Sequence, residues 1–297
     1  MNQTQPVTNI YVVDAMSTDG TREYVEELIE SGHKNIHLID EPESNVPGSR
    51  RAVACNEGLR KVSSKYVGFL DADVEVPPEW SKGCIWYLQF FEKLKIDVAG
   101  VTSGCIKNEG TNLSRAISNL IEFGSTHARQ FSKTQKVNSL PGYNAIYHTT
   151  ALREINGFNE LIGGCEDWEM NKRLRETGYA LLGIPESPVN HKERKDAKSF
   201  SKQMRGYGWS RSRLAVVTGT FTTLHSLPVV LSFIIITLLS TIFHTLVMIS
   251  FEPLNYMLIE ILDNFSERLP YPLTFILTAG TMFTAWVIGY VDGLLPQ

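Results

Sequence analysis

Cysteine is scarce in this chain of 297 residues. There are four, Cys55, Cys84, Cys105 and Cys165, and none share the short paired spacing that grips zinc. Their scatter excludes a disulfide framework and reads as reduced thiols of a cytosolic compartment. A basic excess is also lacking. Lys and Arg number 28 against 32 Asp and Glu, for a net charge of −4 and a pI of about 6.0. That excludes a nucleic-acid binder that works through general basicity, and no nucleic-acid partner is expected. The opening MNQTQPVTNI has neither a basic n-region nor an apolar h-region, so no signal peptide is expected. The remaining absence is local: no Asp, Glu, Lys or Arg occurs from Leu214 to Phe251, or again from Leu269 to Val291.

A bilayer span needs about 20 mostly apolar residues, and both uncharged runs are long enough. LPVVLSFIIITLLSTIFHTLVMI and YPLTFILTAGTMFTAWVIGYV therefore predict a C-terminal hairpin of two transmembrane helices. Two buried helices of a soluble protein are the alternative, although such helices rarely run this far without a charge. Lys202, Arg205, Arg211 and Arg213 precede the first run, while EPLNYMLIEILDNFSER between the runs is mostly acidic and is expected to be a loop. Positive residues stay on the cytoplasmic side, so the N-terminal part is expected there, in a multi-pass protein of the cell membrane. His225 and His244 read as interfacial or packing residues, and QMRGYGWSR as a basic, aromatic interfacial helix.

Ahead of the runs, strand and helix patterns alternate. NIYVVDAM reads as a strand ending in Asp14, and STDGTREYVEELIESG as a helix capped by Ser17, Thr18 or Asp19 and closed at Gly32. NIHLIDE is a second strand, and RRAVACNEGLRKVSS a helix with Ala52, Cys55, Leu59 and Val62 on one face. KYVGFLDAD is a third strand, apolar enough to be buried on both faces. A helix after Pro77 and Pro78 and a strand IDVAGVTSGCI complete an α/β pattern with a mostly parallel sheet. LSRAISNLIEFGSTHARQF is expected to be partly helical, NELIGGCEDWEMNKRLRETGY to lead through a glycine loop into an amphipathic helix, and His191 to lie on a charged loop.

Ligands of such sheets sit beyond the carboxyl ends of the strands. Asp14 and the Asp71-Ala72-Asp73 pair both fall there. Two carboxylates at i and i+2 point the same way. They repel unless they are solvated at a strand end or share a cation. Mg²⁺ or Mn²⁺, which are held by one or two carboxylates plus substrate phosphates, would let them hold a diphosphate.

An ordered set of motifs resembles family-two inverting glycosyltransferases, which have the Rossmann-like GT-A fold. IYVVDAMSTDGT is similar to the family's second-strand motif. GSRRAVACNEGLRKVSSKYVGFLDADVEVPPEW is similar to its Asn-x-Gly helix and D-x-D strand, and LREINGFNELIGGCEDWEMNKRLRETGY to its acceptor-side segment. The resemblance implies Asp14 at the nucleotide base, Asp71 near ribose or diphosphate, Asp73 on the metal and Asp167 as catalytic base. Glu166 would tune that base or bind the acceptor, Trp168 beside it would bind the acceptor, and His191 would complete the metal site. Cys55 stands where the family commonly has Arg, so Arg50 or Arg51 would serve the donor phosphates instead. NQTQPVTN resembles only the end of the family's first helix, and the family's opening strand is expected to be missing.

Together these imply a GT-A-like catalytic domain over residues 1–213 and a membrane hairpin over 214–297. The expected activity is that of a metal-dependent hexosyltransferase of polysaccharide or glycolipid biosynthesis. It would move a sugar from a nucleotide-sugar donor to a lipid-linked or glycan acceptor at the cytoplasmic face. The alternatives are a non-catalytic membrane protein that keeps the fold to bind a nucleotide or glycan or to scaffold an assembly, and a nucleotidyltransferase, which also uses paired carboxylates and metal.

Overall fold

β1 (Ile10–Asp14) and β2 (Ile36–Asp40) pair in parallel, Ile10 opposite Ile36 and Asp14 opposite Asp40, with α1 (Thr21–Glu30) in the connection. These lie in a computed structural model that describes residues 2–46, 48–106, 111–113, 115–117, 130–191, 196–219, 241–265, 269 and 271–294. The chain forms two compact bodies. The first is Met1–Ile106, Thr126–Leu161 and Glu166–His191; the second is Lys107–Ser125, Ile162–Cys165 and Lys192–Gln297.

In the first body α2 (Arg50–Lys61) is followed by β3 (Tyr66–Leu70), β4 (Val74–Glu75), α3 (Trp80–Lys93) and β5 (Val98–Thr102). Then come β6 (Gln135–Lys136), β7 (Asn144–His148), α4 (Thr149–Glu154), α5 (Glu166–Glu176), β8 (Ala180–Gly183) and β9 (Asn190–His191). A five-stranded sheet has the order β3-β7-β5-β8-β6. The α/β class holds, but the sheet is mixed rather than mostly parallel. β5 and β8 are parallel, whereas β7 runs antiparallel to both β3 and β5, and β6 antiparallel to β8. The physical reason is connection length. A parallel neighbour needs a crossover unit, whereas the chain between Thr102 and Asn144 is long enough to let β7 enter in either direction.

β3 is an edge strand of this sheet and is not buried on both faces: Val67 is buried but Leu70 is 44% exposed. Among the described residues no ladder joins β3 to β1. α2 packs against both. Its Ala52 and Leu59 share a core with Val67 and Tyr147, onto which Tyr11 and Phe69 fold, and the Tyr11 hydroxyl donates to Lys61 O at 3.0 Å. A second core under α3 gathers Trp80, Cys84, Leu88, Val101 and Ile184. Burying a side chain such as Leu88 contributes about 1.5–3 kcal/mol.

Asn56 ties α2 to the turn after α4. Its Nδ2 donates to Phe158 O at 2.9 Å and Glu160 Oε1 at 2.7 Å, and its Oδ1 accepts from Phe158 N–H at 2.9 Å. Asn56→Ala strands a buried backbone donor and acceptor, each costing about 1–3 kcal/mol. A destabilisation of about 2–5 kcal/mol is therefore expected in thermal or denaturant unfolding.

The second body contains α6 (Ala197–Thr218), α7 (Thr241–Phe265) and α8 (Tyr271–Leu294). The segment 252–265, expected to be part of a loop, is helix and continues through Pro253. Asn255, Leu258 and Leu262 recur at helical spacing and bury one face of it. The expected first span falls largely on residues 220–240, outside those described, as does most of the helix expected within 113–131. Among the described residues one helix, over Leu273–Gly293, is long and apolar enough to cross a membrane.

α6 and α8 run parallel and nearly in backbone contact. A Cβ on Gly289 would overlap the Arg205 carbonyl, one on Gly208 the Trp286 carbonyl, and one on Gly293 the Ser212 hydroxyl. Small residues spaced four apart on each helix, Gly208 and Ser212 against Gly289 and Gly293, make this approach possible. Arg205 pins the bundle from α6, with Nη2 on Asp292 at 2.5 Å and Nη1 on Glu252 at 3.0 Å. Over residues 273–284 the polarity of α8 is reversed from that of a helix in a soluble core, whereas farther on Ala285, Ile288 and Tyr290 are buried. Thr274, Thr278, Thr281 and Thr284 face inward, where Thr284 donates to Asn255 Oδ1 at 2.9 Å, while Leu273, Ile276 and Phe283 are exposed.

Candidate active site

Strand ends and a helix start of the first body carry the predicted residues. At the end of β1, Asp14 is buried and fully braced. Ser17 donates to it from Oγ at 2.5 Å and from its backbone N–H at 3.1 Å, and Arg22 Nη1 stands 3.3 Å away while also bonding Asp40 at 2.8 Å. Ser17 therefore serves Asp14, and α1 takes Gly20 as its cap residue without a side-chain cap bond. The Ser17 hydroxyl, outweighing burial, holds the Asp14 carboxyl below the usual range.

The two aspartates after β3 part company. Asp71 Oδ1 accepts from Arg51 Nη2 at 2.5 Å. Asp73 faces the other way, toward β9. That two-residue strand pairs antiparallel with β4, placing His191 opposite Val74. His191 is thus held in a ladder and not on a loop. Its Nε2 lies 3.4 Å from Asp73 Oδ1, and its ring stacks on Tyr143 with centroids 4.5 Å apart. Asp73 Oδ1 is out of contact with solvent and receives no hydrogen bond. An oxygen ligand and an imidazole that converge with one acceptor left unsatisfied suit a divalent cation. Among the described residues no third His, Cys, Asp or Glu joins them, which leaves further positions for substrate oxygens, as Mg²⁺ or Mn²⁺ sites allow.

α5 starts with the other carboxylate pair. Glu166 is buried, and Arg51 Nη1 donates to its Oε1 at 2.5 Å. Burial, and then the neighbouring charge of Asp167, push the Glu166 carboxyl up, with Arg51 opposing. Asp167 is half-buried and held by two backbone donors, Gly142 N–H at 3.0 Å and Trp168 N–H at 2.6 Å. Trp168, half-buried, follows it in the first turn. Arg50 points elsewhere, onto Glu41 at 2.7 Å. Cys55, one turn after Arg51, is half-buried, and its surroundings push the thiol pKa up to about 12 through desolvation.

The turn Pro141-Gly142-Tyr143-Asn144 has no place among the residues predicted from sequence, yet it joins the site together. Gly142 bonds Asp167, Tyr143 backs His191, and Asn144 binds Trp80 Nε1 at 2.8 Å and Gly104 O at 2.8 Å. The only sequence signal for it is the Pro-Gly turn dipeptide. Arg51 is thus brought together with Asp71, Glu166 and the Asp167 turn, and Asp73 with His191. Asp14 keeps its own cluster with Ser17, Arg22 and Asp40.

Residues 1–156 match the family described as glycosyl transferase family 2. A pre-mycofactocin glycosyltransferase of Mycobacterium tuberculosis is 25% identical over 185 residues, covering 62% of this chain and 38% of that protein. A teichoic acid poly(glycerol phosphate) polymerase of Staphylococcus epidermidis is 27% identical over 165 residues, covering 54% of this chain and 21% of that protein. The chain thus spans less than half the length of either relative. Among solved structures, a mannosyltransferase from Pyrobaculum calidifontis in complex with GDP-Man and Mn²⁺ superposes with a TM-score of 0.59 at 18% identity. It covers 99% of this chain and 80% of its own, and it shares the fold.

Proposed function

Because the chain belongs to glycosyl transferase family 2, we propose that it is a membrane-anchored enzyme that transfers a sugar, with inversion, from a nucleotide-sugar donor to a lipid-linked or glycan acceptor at the cytoplasmic face. The observation that carries the chemistry is the division of labour in the α5 carboxylate pair. Glu166 is buried and taken by Arg51, whereas Asp167 is half-buried and oriented by two backbone N–H groups.

In the reaction the acceptor hydroxyl oxygen bonds to the anomeric carbon. The bond from that carbon to the diphosphate breaks, and the nucleoside diphosphate leaves with the electron pair. The hydroxyl proton goes to Asp167, which needs to lie within about 3 Å of it. Asp14 and its Ser17 brace face the base, and Asp71 faces the ribose or diphosphate. Asp73 and His191 would hold Mn²⁺ or Mg²⁺, which stabilises charge on the leaving diphosphate. Trp168, beside the base, offers an aromatic face to the acceptor sugar.

The inverted polarity of the first half of α8, threonines inward and Ile276 and Phe283 outward, supports lipid contact, since lipid reverses the usual cost of exposing apolar surface. The basic residues of α6, Lys202, Arg205, Arg211 and Arg213, support the cytoplasmic side.

The test is transfer by the purified chain in lipid with Mn²⁺ and a panel of nucleotide sugars. Asp73→Ala is expected to lower kcat about 100-fold or more, as loss of several kcal/mol of charge stabilisation requires, and chelation of the wild type should match it. Nucleotide-sugar binding without any transfer or donor hydrolysis would instead favour a binding or scaffold role.

A further inference from the structure

We propose that Arg51 is a positioning residue: a latch that sets the separation between the donor-side carboxylate Asp71 and the acceptor-side pair Glu166–Asp167, without itself binding donor phosphate. The proposal deepens the transferase reading and rests on it. Both terminal nitrogens of the guanidinium are committed, Nη2 to Asp71 and Nη1 to Glu166, each at 2.5 Å. These partners sit 20 and 115 residues away in the chain, one past the end of β3 and the other at the start of α5.

The third contact is backbone. A Cβ at Gly142 would lie 2.5 Å from Arg51 Nη1 and 2.9 Å from Nη2. The turn at Gly142 therefore closes directly on the guanidinium, and its N–H then holds Asp167. One side chain in this way fixes three separate pieces: the D-x-D end, the 141–144 turn and the first turn of α5. The charges agree. Burial works against a cation here, but Glu166 and Asp71 hold Arg51 above its ordinary range. A fork already neutralised by two carboxylates has little left to offer a diphosphate. The planar, two-pronged geometry is needed, because a lysine ammonium cannot hold two carboxylates in a set relation. Asp167 follows Glu166 directly, so slack in the latch displaces the base.

Arg51→Met and Arg51→Lys are compared with wild type for kcat, donor KM and donor Kd by calorimetry. Arg51→Met is expected to lower kcat about 10–100-fold, the size of loss that small misplacements cause, with donor Kd within about twofold. Arg51→Lys should recover only part of kcat. A donor Kd raised tenfold or more with kcat retained would make Arg51 a phosphate ligand and overturn the latch, as would an unchanged kcat. A second readout needs no activity. In a thermal-unfolding cycle of Arg51→Met with Glu166→Gln, the double variant should be no less stable than the worse single one; additive losses would overturn the latch. If the wild type transfers nothing, the functional reading falls while this cycle still decides the latch.

Discussion

Asp167→Asn, which removes the proposed general base, is expected to lower kcat by about 10²–10⁴-fold, the range a positioned general base contributes, and to leave nucleotide-sugar affinity within about twofold. The substitution keeps shape. An asparagine carbonyl oxygen can still accept the Gly142 N–H that holds Asp167 Oδ2 at 3.0 Å, while the bond from the Trp168 N–H to Oδ1 is given up, a cost confined to the first turn of α5. What is lost is the capacity to take a proton as the acceptor hydroxyl attacks. Donor binding is expected to survive because the carboxylates proposed for the donor, Asp14, Asp71 and Asp73, lie on other elements. The measurement is steady-state transfer at saturating donor, with donor Kd by calorimetry. Turnover equal to wild type would remove Asp167 from the mechanism, and a matching loss of donor affinity would place it on the donor instead.

The second large effect is on stability, and its sign depends on which glycine of the helix bundle is changed. Gly289→Ala drives a methyl into the Arg205 carbonyl of α6. A flexible side chain could rotate away, but a helix backbone cannot, so the two helices must separate along their length. A loss of about 3 kcal/mol or more is expected, at or beyond the upper end for overpacking. Gly206→Ala, on α6 itself, meets nothing within 4 Å and should stabilise by about 0.5–1 kcal/mol through helix propensity alone. Thermal unfolding of the chain in one detergent compares them directly. A Gly289→Ala protein that melts with or above the wild type would mean that α6 and α8 do not pack as described.

The candidate site is partly legible in the sequence. Asp14, Asp71 and Asp73 stand out in the sequence because they fall at the carboxyl ends of strands, where ligands of such sheets sit. Glu166 and Asp167 stand out only through the resemblance to the family's acceptor-side segment, since a carboxylate pair at a helix start is by itself an ordinary cap. Gly142 and Tyr143 were not found, since a turn residue whose role is to press on a guanidinium or back an imidazole leaves no periodic mark. His191 was seen as a residue but placed on a loop, because a two-residue strand is too short to show alternation. The segment 252–265 reads as a loop in the sequence because it is acidic and lies between two uncharged runs, while the spacing of Leu258 and Leu262 shows its buried face only in the structure.

Sequence alone determined the α/β class, the helix and strand order around the D-x-D strand, and the apolar run at Leu273–Gly293. All of these follow from local periodicity, charge and turn chemistry, which neighbouring residues carry among themselves. Only the tertiary structure decided that β7 enters antiparallel between β3 and β5, that Asp71 and Asp73 take different partners, and that Arg51 closes on Glu166. Those outcomes join residues up to 115 positions apart. Which distant charges meet depends on how packed elements share space, and no short stretch of the chain encodes that.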